Sequence, residues 1–206
     1  MNRWTLATCA LLATAAFVLA ANADEKRASA SKSDRVARGK YLVVSGGCGD
    51  CHTPKKVQNG QALIVDCNPV EDETRMLSGC TAADKLPPPP QGSGPWIAIA
   101  TWDLTAWSGP WGISYAINLT PDENTGIGSW SEDTFVKAIK TGKHMGTSRE
   151  IQPPMPWQDY RNATDEDLKA VFAYLRTVPP IVNRVPDWEP PSGAPPAAKG
   201  AAPKKK

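Results

Sequence analysis

Three stretches of the chain repeat apolar residues at helical spacing. They span Asp34 to Val44, Glu132 to Lys140 and Asp165 to Thr177. Apolar side chains three or four positions apart indicate a helix with one buried face. The residues concerned are Val36, Tyr41 and Val44 in the first stretch, Phe135, Val136 and Ile139 in the second, and Leu168, Val171, Phe172 and Leu175 in the third. The pattern therefore predicts three helices.

The ends of these helices are also marked in the sequence. Ser131 is suited to cap the second helix, and Gly142 to end it, because a side-chain oxygen satisfies free amides and glycine adopts the left-handed turn. Thr164 with Asp167 forms a capping-box-like start for the third helix. The first helix is expected to end before Gly46.

Residues 53–117 predict a long loop. This segment is rich in proline, glycine and tryptophan, and it contains the run Pro87 to Pro90. Consecutive prolines lack backbone donors and favour extended polyproline geometry, so the run excludes a central strand or a helix there. No stretch of the chain shows a strong strand pattern.

The first 23 residues have the composition of a secretory signal peptide. Arg3 precedes an apolar run from Leu6 to Ala20, and Ala21 to Ala23 supplies the small-x-small pattern of a cleavage site. Cys9 precedes most of the apolar run, which argues against lipidation. We expect export to the periplasm, a mature chain without a membrane span, and a disordered tail of Pro, Ala and Lys over residues 187–206.

Composition narrows the classes of function. The chain has 23 Lys+Arg against 21 Asp+Glu, for a net charge of +2, which gives no reason to expect a nucleic acid partner. Two histidines in 206 residues disfavour a multi-histidine metal centre. We interpret Lys204 to Lys206 as a solubilising disordered end; the alternative is that they attract an acidic redox partner or an anionic membrane surface.

The strongest chemical signal is the run Cys48-Gly49-Asp50-Cys51-His52. Two cysteines separated by two residues and followed by histidine form the attachment signature of c-type haem. The thiols of Cys48 and Cys51 bind the porphyrin vinyl groups covalently, and His52 is then the proximal ligand of the iron. The motif predicts one covalently attached haem c.

Two other interpretations of the same cysteines are weaker. A thioredoxin-like redox pair would follow a strand within a βαβ unit, and the sequence shows no such unit. A structural zinc site would need a second ligand pair, which Cys67 and Cys80 would supply. The adjacent His52 and the export signal favour haem.

An iron bound by His52 needs a second axial ligand. Met155 lies in Pro153-Pro154-Met155-Pro156-Trp157, where the prolines stiffen the backbone. His144 and Met145 remain alternatives, and a second histidine ligand would give a lower reduction potential than methionine. We favour Met155.

Several motifs together resemble the class I c-type cytochromes. They are Arg38 to Leu42, Asn118 to Asp122, Thr125 to Gly128, Pro153 to Trp157 and Asp165 to Arg176. They are spread over most of residues 34–186. The chain is most similar to single-haem periplasmic cytochromes, such as those in cytochrome subunits of membrane-bound dehydrogenases.

This resemblance implies a fold and a ligand. It implies an all-α, cytochrome c-like helical haem domain over residues 34–186, with the first helix crossing the last near Gly39 and Tyr174 and the haem edge exposed. It also implies that Met155 is the distal ligand. The long Pro- and Trp-rich insertion at residues 53–117 departs from the family.

The sequence also indicates which tryptophans lie near the haem and how the remaining cysteines pair. The chain has 8 tryptophans, and Trp130 and Trp157 are the best candidates to pack on the haem, because each lies beside a family motif. In an oxidising compartment Cys67 and Cys80 are expected to form a disulfide, worth roughly 3 kcal/mol by chain entropy.

The sequence thus predicts an electron-transfer protein and not an enzyme, since one haem with both axial positions filled has no open site for a substrate. The expected donor is a periplasmic dehydrogenase or a quinol-oxidising complex, and the acceptor an oxidase or reductase. One alternative is the haem-bearing subunit of a membrane-bound dehydrogenase complex. Another is a gas-binding haem sensor with a labile distal ligand.

Overall fold

The computed structural model describes residues 31–59, 61–66, 68–81, 86–89 and 97–191. The predicted signal segment, Cys67 and most of the predicted tail lie outside these residues. Helix α1 covers residues 31–45 within the described part. The other helices are α2 (Cys48–His52), α3 (Glu132–Thr141), α4 (Trp157–Tyr160) and α5 (Asp165–Leu175), with short 3-10 helices at Glu73–Arg75 and His144–Gly146.

The three predicted helices are present, and two have the predicted caps. Ser131 accepts a hydrogen bond from the Thr134 amide at the start of α3, and Gly142 ends that helix in the left-handed conformation with φ 66°. Thr164 accepts from the Asp167 amide at the start of α5. Each cap satisfies an amide that has no partner inside its helix.

The expectation of an all-α haem domain is wrong. In the segment predicted as a loop, residues 53–117, the part that the structure describes contains seven short strands. They are β1 (Val57–Gln58), β2 (Gln61–Ala62), β3 (Ile64–Val65), β4 (Asn68–Pro69), β5 (Ile99–Ala100), β6 (Ala106–Gly109) and β7 (Gly112–Tyr115). They pair antiparallel as β1–β2, as β3–β4 and as a three-stranded sheet β5–β6–β7.

Strands this short escape detection by alternation of apolar and polar residues. Four of them have two residues between residues 57 and 69, and one period of alternation is not a pattern. The residues at the turns indicate the hairpins more clearly than the strand residues do. Asn59 and Asp66 have φ of 54° and 50°, and Asn59 precedes Gly60, a dipeptide that strongly favours a two-residue hairpin turn.

The helices enclose the hydrophobic core. Its buried members are Val43, Leu77, Ile127, Phe135, Phe172, Leu175 and Val178. The rings of Phe135 on α3 and Phe172 on α5 lie with their centroids 5.4 Å apart, so these two helices pack directly against each other.

Helix α1 crosses α5 at Gly39, as the resemblance implied. A Cβ built on Gly39 would lie 1.9 Å from the Ala170 carbonyl oxygen and 2.9 Å from Cβ of Tyr174. This crossing turns Gly39 and Val43 inward. The predicted apolar face of α1 was wrong, because Tyr41 and Val44 are 61% and 69% exposed.

A buried polar network fixes the segment that follows β7. Asn118 is 2% exposed; its side-chain amide donates to the Ile181 carbonyl at 2.8 Å, and its oxygen accepts from the Thr120 amide at 3.0 Å. Asn183 in turn donates to the carbonyl of Ser78 at 2.7 Å. The network therefore holds residues 117–120 against the chain that leaves α5.

Candidate functional site

The cysteine motif forms a short helix of its own. Gly47, with φ 65°, makes the left-handed turn that lets α2 begin at Cys48. Residues three apart on a helix lie on the same side, so Cys48 and Cys51 share one side of α2. Both are half-buried free thiols, and Cys48 packs against the hydrophobic core.

The environment of the thiols differs from that of a catalytic redox pair. Burial raises the pKa of Cys48 to about 11, and burial also raises the pKa of Cys51. Reactive cysteines of the thioredoxin type have a lowered pKa, because the thiolate is the nucleophile. Both shifts therefore run opposite to the shift expected of a disulfide-exchanging pair.

The imidazole of His52 is buried and oriented by the backbone. It is 8% exposed, and its Nδ1 lies 2.8 Å from the Ile117 carbonyl oxygen. Because a carbonyl only accepts, Nδ1 carries the proton and Nε2 carries the lone pair. Burial lowers the pKa of His52, which keeps the ring neutral. A neutral imidazole with one nitrogen held by a carbonyl is the usual form of a histidine metal ligand.

The loop that carries Met155 is hydrogen-bonded at both ends, to β7 and to the turn before α2. At its start, the Ser114 hydroxyl of β7 donates to the Pro153 carbonyl at 2.5 Å. At its end, the Tyr160 hydroxyl of α4 donates to the Gly46 carbonyl, just before the cysteine motif. The half-buried Met155 thus lies in a loop joined at one end to β7, which ends two residues before Ile117, and at the other end to the turn that begins α2.

The two alternative ligands lie together in the 3-10 helix His144–Gly146. Met145 has φ 54° and is 45% exposed. The ring of His144 meets Trp130 edge-on, with centroids 5.2 Å apart, and burial, followed by the charge of Arg149, lowers its pKa. At 45% exposed, Met145 is more open to water than the half-buried Met155.

The two predicted tryptophans occupy different places. Trp130 is half-buried and packs against the hydrophobic core. The Trp157 ring lies over Gly142, where a Cβ would come within 2.4 Å of a ring carbon, and the Arg161 guanidinium carbon is 5.8 Å from the centroid of this ring. Trp157 thus joins α4 to the end of α3.

The predicted disulfide joins one residue that the structure describes to one that it does not. Cys80 is 2% exposed, whereas Cys67 lies outside the described residues, so the Cys67–Cys80 disulfide stays a prediction.

Within the described ranges, no group of three or more His, Cys, Asp or Glu side chains is arranged to hold a metal ion. Nor does that part of the chain contain a helix both long and apolar enough to cross a membrane.

Three contacts of the site were missing from the sequence-based account. They are the Ile117 carbonyl on His52, the Tyr160 hydroxyl on Gly46, and Lys55, whose ammonium lies against α2. A backbone carbonyl has no sequence signal, and the other two contacts depend on how distant or irregular segments fold together.

No protein-family model matches the chain, but curated proteins do. It is 32% identical over 149 residues to the gluconate 2-dehydrogenase cytochrome c subunit of Pantoea cypripedii, covering 72% of this chain and 24% of the relative. It is 28% identical over 173 residues to the fructose dehydrogenase cytochrome subunit of Gluconobacter japonicus, covering 84% and 27%.

A third match has a similar extent. The chain is 29% identical over 149 residues to the cytochrome c subunit of alcohol dehydrogenase (quinone) from Gluconacetobacter polyoxogenes, covering 71% of this chain and 25% of the relative. The chain therefore spans about a quarter of the length of each of these three relatives.

Proposed function

We propose that this chain, a relative of the cytochrome c subunits of bacterial dehydrogenases, carries one covalently bound haem c and transfers single electrons between redox proteins. The resemblance found in the sequence is confirmed by these relatives. The observation that carries the proposal is the geometry of α2, where a CxxCH motif ends in a buried histidine held by the Ile117 carbonyl.

The residues of α2 fit a haem c. Cys48 and Cys51 share one side of the helix and would form the two thioether bonds, and Nε2 of His52 carries the lone pair that would bind the iron. When bound, the group supplies a one-electron couple. A single CxxCH in 206 residues supports one haem.

Met155 is our proposed second axial ligand. Its loop is fixed at the Pro153 carbonyl and, through Tyr160, at Gly46, and these two hydrogen bonds support the proposal. A filled sixth position leaves no site for a substrate, which is why we propose a role in electron transfer and not in catalysis. We propose that Trp130 and Trp157 lie beside the porphyrin ring of the haem.

The relatives suggest the partners. Because all three are named as cytochrome subunits of dehydrogenases, we propose a dehydrogenase or a quinol-oxidising complex as the donor and an oxidase or reductase as the acceptor, in the periplasm. A stable subunit of a dehydrogenase complex is the second candidate. Co-purification with a large catalytic subunit from the native membrane would favour that candidate over a free carrier.

We expect the haem-loaded protein to take up one electron per chain and to return it over repeated cycles, without binding carbon monoxide at neutral pH. The physical reason is that two protein ligands occupy both axial positions of the iron. Reductive and oxidative titrations followed by absorption, with and without carbon monoxide, test this expectation. Rapid binding of carbon monoxide to the reduced protein would instead indicate a gas-binding sensor.

A further inference from the structure

A lysine ammonium is buried against the cysteine helix. Lys55 is 4% exposed, although lysine is rarely buried without compensation. Its Nζ donates to three backbone carbonyls, those of Thr53 at 2.8 Å, Asp50 at 2.9 Å and Gly49 at 3.2 Å. These carbonyls belong to α2 or follow it. That of Gly49 also accepts from the Thr53 amide, whereas those of Asp50 and Thr53 lie at the C-terminal end of α2, where a helix leaves carbonyls without an amide partner.

Glu71 completes this arrangement from a neighbouring segment. Its Oε1 lies 3.6 Å from Nζ of Lys55, and a Cβ built on Gly49 would lie 3.0 Å from the same Oε1. Lys55 and Glu71 also face each other across an antiparallel bridge. The carboxylate thus lies against α2 between its two cysteines, but its side chain is 46% exposed.

We infer that Lys55 is a positioning residue that holds the cysteine helix and raises the reduction potential of the group attached there, while Glu71 partly offsets that rise. The inference rests on the proposed function. Reduction adds one negative charge at the site, and a buried cation stabilises that charge more than it would in water, because the local dielectric is low. A nearby carboxylate acts in the opposite direction, and its effect is smaller because solvent screens it.

The two residues therefore predict shifts of opposite sign. In haem-loaded protein, Lys55→Met removes the cation at similar length and is expected to lower the midpoint potential. Glu71→Gln removes the carboxylate at the same size and is expected to raise it. Lys40→Met is the matched control, since Lys40 is exposed on α1 and its loss is expected to move the potential less than the loss of Lys55. Spectroelectrochemical titration at low salt measures all four proteins.

A purely structural role gives a different result. Loosening of the helix would move both variants in the same direction, and that outcome, or no shift in either, would overturn the inference. If Lys55→Met does not fold, Glu71→Gln decides alone: a raised potential supports the inference, and an unchanged or lowered one contradicts it. Lys55→Arg, which keeps the charge, is expected to stay closer to the wild type than Lys55→Met.

The covalent haem content of the wild-type protein separates this inference from the proposed function. A wild-type chain that binds no haem would contradict the proposed function itself. A loaded wild-type chain whose variants fail to shift as described would contradict only the role of Lys55 and Glu71.

Discussion

Replacing Met155 with alanine is expected to abolish the weak methionine-to-iron charge-transfer band of the oxidised protein and to lower its midpoint potential. Axial ligands set haem potentials over a range of about 0.8 V, and methionine ligation lies on its higher side. Loss of the thioether is therefore expected to lower the potential by roughly 0.1 V or more. Absorption spectroscopy of the oxidised protein and a redox titration measure the two effects.

The neighbouring methionine provides the matched control. Met145→Ala removes the same side chain from a site that is 45% exposed, and it is expected to leave the band and the potential close to those of the wild type. Retention of the band in Met155→Ala together with its loss in Met145→Ala would reverse the assignment. Absence of the band from the wild-type protein itself would contradict methionine ligation and direct attention to His144.

The variant Gly39→Ala is expected to destabilise the protein, although alanine is the better helix former. Helix propensity alone would stabilise α1 by about 1 kcal/mol. The new Cβ, however, would lie 1.9 Å from the Ala170 carbonyl oxygen, so α1 and α5 would have to move apart, and overpacking of this kind costs about 1–3 kcal/mol or more. Because this backbone contact cannot yield by a rotamer change, we expect a net loss of about 2 kcal/mol in denaturant unfolding.

Ala37→Gly measures the propensity term separately. Ala37 is exposed on the same helix, so this variant is expected to cost about 1 kcal/mol without affecting the crossing of the helices. A Gly39→Ala protein as stable as the wild type, beside a destabilised Ala37→Gly protein, would show that α1 and α5 do not approach this closely.

The helices could be predicted from sequence because their determinants are local. Ser131, Gly142 and Thr164 act within one turn of the helix ends that they define. The apolar spacing of α5 correctly identified Leu168, Phe172 and Leu175 as buried, although Val171 is only half-buried and the buried Ala170 was not predicted. The buried face of α1 could not be predicted in this way. It is set by the close approach of Gly39 to α5, and a pattern of apolar residues does not count a glycine.

The strands of residues 53–117 were missed for the same kind of reason. Strands of two residues have no detectable alternation, and the two four-residue strands, β6 and β7, depend on pairing between Ala106 and Tyr115 across their turn. The run Pro87 to Pro90 was taken to exclude a helix or a central strand, and residues 86–89 form neither, but the prolines do not exclude short hairpins elsewhere in the segment. Irregular composition was therefore mistaken for a lack of strands.

The candidate site, too, could be predicted only where neighbouring residues in the sequence determine it. The motif from Cys48 to His52 is contiguous, so its chemistry could be inferred from the residue types alone. The carbonyl that orients His52 comes from Ile117, 65 positions further along the chain. No local pattern encodes that contact, and the network at Asn118 that supports it is visible only in the folded chain.

Covalent haem content tests the central claim most directly. The full chain would be produced in a host that matures c-type cytochromes, then denatured, extracted with acid and organic solvent, and weighed by mass spectrometry. We predict the mass of the polypeptide plus one haem, retained through extraction, with no thiol at Cys48 or Cys51 left to label. A bare polypeptide with both thiols reactive would contradict the account.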